Sequence, residues 1–205
     1  MMIGQTTKPT NKPMKRLSLY LFLILFTLQT PSWADDIRDF QIEGMSIGDS
    51  ALDYFSEEEI KRNKKNWFTN NKYTLVSPMK KSSFETYNHL QIAFKTNDSK
   101  KIIFAIDGII EFVDDYQGCL KQMDVVSKSI EKFFKNLKKF DKYTFKHSYD
   151  KTGKSVQTTE GYNFDNGDKI SISCQDWAKE IKFSDSLFIE LRTKDYMQFL
   201  KTAYK

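Results

Sequence analysis

The sequence predicts an α+β fold: an antiparallel sheet with one long helix packed on a face, short N-terminal helices and a short C-terminal helix. Three observations carry the prediction. Apolar residues alternate with polar ones at Leu90, Ile92 and Phe94, at Ile170, Ile172 and Cys174, and at Leu187, Ile189 and Leu191, which is the period of a half-buried strand. One stretch, Cys119 to Phe140, repeats instead at spacings of three and four, the period of a helix stripe. Tight-turn signals such as Asn166-Gly167 join the strand-like runs, and tightly joined strands pair antiparallel.

The elements follow in chain order. Residues 35–48 alternate loosely at Ile37, Phe40 and Ile42, which fits a short strand or an extended arm. Asp49 or Ser50 can cap a short helix through Leu52 and Phe55. Ser56 with Glu59 three residues later is a capping box, opening a second helix toward Lys65. Acidic residues at its start and Lys61, Arg62, Lys64 and Lys65 at its end suit the helix dipole. The period-two stretch runs from 84 to 113, with a turn at Asn97-Asp98-Ser99. Inside its second arm, Asp107-Gly108 reads as a bulge in one long strand, because a hairpin there would leave short arms.

The clearest element is the stripe Cys119, Met123, Val126, Ile130, Phe133, Leu137 and Phe140. It predicts six turns of helix over 119–140 packed on a sheet. Asp114-Asp115 before it reads as N-terminal capping; a paired-acid site there would want an aromatic sugar platform, and none is evident from spacing. Tyr143, Phe145, His147 and Tyr149 then alternate, Asp150 to Gly153 turns the chain, and 154–164 is a weaker strand. Thr193 caps a last short helix carrying Tyr196, Phe199, Leu200 and Ala203.

Residues 1–34 read as a signal peptide. Lys15-Arg16 precede an apolar run from Leu17 to Leu28, and Ser32-Trp33-Ala34 closes on a small-x-small pattern, the layout that a secretory signal needs. The run is about a dozen residues where a bilayer span needs ~20. Cleavage after Ala34 is expected, leaving 35–205 as one domain without an integral membrane span. Residues 1–13 read as an upstream start, since Met14-Lys15-Arg16 is a more usual beginning. The alternative is an uncleaved segment, residues 17–34, anchoring the domain in the inner membrane.

Removing residues 1–34 changes the charge. The whole chain has 32 Lys and Arg against 27 Asp and Glu. Lys8, Lys12, Lys15 and Arg16 precede the cut, and every acidic residue follows it. The 171 remaining residues hold 28 basic and 27 acidic side chains. That balance argues against a nucleic-acid surface, which needs a clustered basic excess, and against a strong pull to anionic lipid.

Cys119 and Cys174 are the only cysteines. An even pair in an exported chain predicts a disulfide, and each sits on the apolar side of its element. The competing reading is catalytic. Cys119 opens a helix, whose N-terminus lowers a thiol's pKa, and His147 lies on a later strand, the layout of papain-like cell-wall peptidases. The residues Gly118-Cys119-Leu120-Lys121 do not match the motif of those enzymes, and no third group stands out to orient His147.

Other signals fail on their own chemistry. Gly153-Lys154-Ser155 ends like a phosphate loop, but position 148 is Ser rather than Gly and the flanking pattern is strand, not helix. Asp165-Asn166-Gly167-Asp168 lacks the glycine and glutamate of a calcium loop at the sixth and twelfth positions. Two His and two Cys do not assemble a zinc site without carboxylates, so neither metal nor cofactor is expected. Trp177, after Cys174-Gln175-Asp176, is a weak candidate for ligand stacking.

Four stretches, Glu43 to Ser50, Asp53 to Ile60, Asp150 to Ser155 and Cys174 to Trp177, resemble small exported proteins of AT-rich marine alphaproteobacteria, as does the closing Ala203-Tyr204-Lys205. The resemblance implies one exported domain and no particular activity. The expected function is therefore a non-catalytic periplasmic or secreted binding or structural protein with a small-molecule or protein ligand. The alternative is a cysteine hydrolase acting on envelope peptides through Cys119 and His147.

Overall fold

The computed structural model describes residues 35–135 and 137–204. The segment read as a signal peptide or anchor lies outside them. Eight strands form one sheet: β1 (Lys64–Lys65), β2 (Tyr73–Met79), β3 (His89–Lys95), β4 (Ile103–Glu111), β5 (Lys138–Lys146), β6 (Val156–Asn163), β7 (Lys169–Asp176) and β8 (Ser186–Arg192). Among the described residues three α-helices accompany it: α1 (Glu57–Asn63), α2 (Tyr116–Phe133) and α3 (Lys194–Ala203). The fold class is the expected α+β.

Every strand pair is antiparallel, in the order β1-β2-β3-β4-β8-β7-β6-β5. Two meanders, β1 to β4 and β5 to β8, are thus joined where β4 meets β8. The link from β4 to β5 must reach the far edge of the sheet, and α2 makes that crossing over β7 and β8. Its apolar stripe, Cys119, Met123, Val126 and Ile130, is buried against Ile170, Ile172, Cys174, Leu187, Ile189 and Leu191 of one sheet face. The helix starts at Asp115, whose carboxylate accepts from the Gly118 N–H.

Alternation places the remaining residues on the second face. Asp107, Glu190, Ser171, Gly161 and Phe140 form one row across β4, β8, β7, β6 and β5, with Ile109, Phe188, Ser173, Thr159 and Tyr143 in the next. Helix α3 covers the β2–β4 end of this face, where Tyr196, Phe199 and Ala203 pack on Tyr73, Leu75, Ala93 and Ala105. At the β5 end Tyr143 and Phe145 stack with centroids 5.6 Å apart and remain 52% and 40% exposed. Gly161 is required there: a Cβ would collide with the Ile170 carbonyl and lie 2.8 Å from the Phe140 ring.

Several sequence expectations are corrected. The long helix runs 116–133, not 119–140: Phe134 turns inward to a buried position, Leu137 is in the connection, and Phe140 lies over Gly161 in β5. The four-three spacing outlasts the helix by coincidence. Residues 35–48 form no strand. A 3₁₀ turn at Ile37–Asp39, capped by Asp36, and a reversal at Glu43 and Gly44, both with positive φ, place Ile37, Ile42 and Met45 in the core. Ser50 caps a single 3₁₀ turn, Ala51–Asp53, rather than a helix. The Ser56–Glu59 capping box is formed, but α1 stops at Asn63, and Lys64–Lys65 pair with β2. Asp107-Gly108 is neither hairpin nor bulge. Both residues pair regularly with β3, and Gly108 is small because a Cβ would run into the Tyr87 ring.

Candidate functional site

Three connections meet at the end of the sheet where α2 begins: the turn 147–155 between β5 and β6, the loop 177–185 between β7 and β8, and residues 112–115 before α2. Hydrogen bonds hold them. The buried Asp150 carboxylate accepts from the Thr152 N–H at 2.7 Å and from the Ser155 N–H and hydroxyl at 2.8 Å each. Those donors, the Ser155 amide foremost, keep the carboxyl far below the ordinary Asp range. Ser155 Oγ then accepts from the Ala178 N–H at 2.9 Å, tying one turn to the next loop. Asp185 closes that loop by accepting from the Trp177 N–H at 2.7 Å.

Beneath this assembly lies the Cys119–Cys174 disulfide, with Cα atoms 5.9 Å apart and both residues fully buried. It fixes the first turn of α2 to the end of β7, three residues before Trp177. Tyr116, one helical turn earlier on α2, hydrogen-bonds Thr158 of β6 at 2.6 Å.

A shallow cleft of about 270 Å³ opens between the three connections. Trp177 lines it, together with Asp114, Tyr116, Lys154, Asp176 and Asp185. An aromatic wall continues from it. The His147 ring centroid lies 4.2 Å from Trp177, Phe183 lies 4.9 Å from Trp177, and Tyr149 lies 5.3 Å from Phe183. Phe183 and Tyr149 are 51% and 62% exposed. Burial pushes the Asp176 carboxyl above its usual value and Asp185 pushes it further, while burial holds His147 below the ordinary imidazole value and so neutral near pH 7. Lys154 is paired with Glu180 at 2.6 Å.

The structure gives the two groups of the catalytic alternative other partners. The Cys119 sulfur is bonded to Cys174, so it presents no thiolate. His147 packs on Trp177 and its Nδ1 accepts from the Tyr149 N–H at 3.3 Å. Trp177 does lie at a cleft, and the platform that spacing did not show is assembled from distant segments. Gly153-Lys154-Ser155 is a hairpin turn with Gly153 at φ +69°. Among the described residues no group of three or more His, Cys, Asp or Glu side chains is placed to hold a metal ion.

Two polar clusters escaped sequence reasoning. Under α2, Ser127 Oγ lies 2.5 Å from the Tyr162 hydroxyl and accepts from Lys139 Nζ at 3.2 Å. A serine beside a lysine resembles a nucleophile with its base. Here Glu131, 2.8 Å from Lys139, holds the amine well above the ordinary lysine range, and Ser127 and Tyr162 are 3% and 1% exposed. The lysine stays a donor, and the cluster pins α2 to β5 and β6. On the second face, Arg192 Nη2 donates to Glu190 at 2.5 Å and to Asp107 at 3.4 Å. Burial raises both carboxyls. Burial alone would lower Arg192, but Glu190 and Asp107 more than offset it, so the guanidinium stays charged. A carboxylate inside an Ile-rich strand, as at Asp107, was the available signal.

No family model, no curated protein and no solved structure matches this chain.

Proposed function

We propose that this chain is an exported, non-catalytic binding protein of the periplasm and that its ligand enters the cleft beside Trp177. The cleft's construction carries the reading. Aromatic rings and charged groups from three connections converge there, a disulfide ties the start of α2 to the end of β7 next to them, and concave sites with a few converging polar groups are where small ligands bind. Support for export comes from the signal-like residues 15–34, from the resemblance to exported proteins and from the disulfide, which persists in oxidising compartments. The near-balanced charge of residues 35–205 supports a ligand other than nucleic acid. A thiol hydrolase would need Cys119 reduced, and its disulfide with Cys174 weighs against that reading.

A fragment screen read by backbone amide shifts tests the site. Binders are expected to perturb residues 150–155 and 176–185 in the oxidised protein. Shifts confined to the Arg192, Glu190 and Asp107 region of the second sheet face would move the site elsewhere, and a screen with no binder at the cleft would end the reading.

A further inference from the structure

Taking the cleft as the binding site, we infer that its ligand is a neutral oligosaccharide, with one sugar ring against Trp177 and the next units running over Phe183 and Tyr149. The inference rests on what the cleft offers and what it leaves unused. Among the described residues, no hydrogen bond or ion pair engages the carboxylates of Asp114 and Asp176, and Asp185 uses one oxygen on Trp177. These are acceptors awaiting donors. Lys179, and Lys154 through the N–H groups not used on Glu180, add ammonium donors to the same lining. A cationic ligand would meet both amines, and an anionic one would meet three carboxylates. A polyol has hydroxyls that donate to the carboxylates and accept from the lysines, so it satisfies both sets without bringing a charge.

The apolar half of the match is the ring wall. A pyranose presents C–H groups on one face and hydroxyls around its rim, so it needs an aromatic surface bordered by hydrogen-bonding groups, and Trp177 bordered by Asp176 and Asp185 is such a surface. The volume of about 270 Å³ takes roughly one sugar ring, and the cleft is open. The exposed rings of Phe183 and Tyr149 extend from Trp177, which suits a chain longer than one unit. Large exposed aromatics grouped in this way mark an interaction site.

The test uses the oxidised protein, with the indole N–H resonance of Trp177 assigned by its loss in Trp177→Phe. Cellotriose, maltotriose and triacetylchitotriose are titrated at millimolar concentrations, with tetramethylammonium and acetate as charged probes. At least one trisaccharide is expected to shift the resonance saturably. Phe183→Ala, at an exposed position, is expected to weaken that trisaccharide about fivefold, as loss of one ring contact should, and to leave the matching monosaccharide unchanged. A shift by tetramethylammonium or acetate alone would overturn the saccharide class and leave the cleft as a site. No shift of the indole by any probe would overturn the inference, and a fragment that still perturbs residues 176–185 would show the cleft reading surviving it. Equal affinity for the trisaccharide in Phe183→Ala would remove the extended ligand.

Discussion

Replacing both Cys119 and Cys174 by alanine is expected to lower the unfolding free energy by about 4 kcal/mol. The two residues are 55 apart in sequence, and closing a loop of that length removes about this much conformational freedom from the unfolded chain. Domains of this size are stable by only ~5–15 kcal/mol, so the loss is a large share of the whole. Alanine is the right replacement because both sites are fully buried and a serine hydroxyl would add an unpaired polar group. Urea denaturation of the variant beside the oxidised protein measures the difference. Equal midpoints and slopes would show that the link contributes nothing. Hydrogen exchange adds a spatial expectation: protection should fall first in the opening turns of α2 and in residues 176–185, which the disulfide joins. A uniform loss would detach the staple from the cleft.

The second large effect is expected at Arg192. Its guanidinium serves Glu190 and Asp107 together, and the three side chains are 25%, 11% and 10% exposed. Arg192→Leu leaves two buried carboxylates facing each other, and breaking a buried pair from one side costs about 3–5 kcal/mol. The pH dependence identifies the cause. Burial raises both carboxyl pKa values in the folded protein, so the folded state binds protons more tightly than the unfolded one. The stability that protonation supplies is fully present below the unfolded carboxyl pKa and is lost as pH rises through the folded values. Without Arg192 only the Lys169 charge near Glu190 is left to offset part of that loss, so the deficit should be greatest at neutral pH and shrink toward about pH 4, near the unfolded carboxyl pKa. A deficit constant with pH would point to lost packing alone. Lys138→Ala is the control: its pair with Asp165 is 76% and 79% exposed, and solvent-screened pairs of this kind change stability little at any pH.

What could be read from the sequence follows from which forces are local. Strand β3 is legible because Leu90, Ile92 and Phe94 face one core while His89, Gln91 and Lys95 are less buried; Ala93, the exception, is buried under α3 on the other face. Helices α1 and α3 are legible at their starts because Ser56 and Thr193 accept hydrogen bonds from their own chains. The stripe of α2 is legible through Ile130, where the residues do face the sheet, and misleading beyond it. Strand β2 was hidden by Pro78, which lacks a ladder donor and sits where the pairing with β3 shifts register. The arm 35–48 is held by long-range contacts: Glu43 accepts from the N–H groups of residues 85, 86 and 87. No local pattern encodes such bonds.

The cleft was legible only at Trp177. Its neighbours Asp150, Ser155 and Phe183 lie in connections that meet because β8, β7, β6 and β5 are adjacent in that order, and strand order is a property of the whole chain. The disulfide was legible because compartment chemistry, rather than geometry, predicts it. The Arg192 cluster required the pairing of β4 with β8, strands more than 70 residues apart.

Entry of the domain into an oxidising compartment is tested most directly by the intact mass and free-thiol content of the protein recovered from the periplasm after expression from residue 14. The expected product begins at Asp35, is lighter than its reduced form by two hydrogens, and gives no free thiol when unfolded without reductant. A chain retaining residues 14–34, or one with two reactive thiols, would contradict the account.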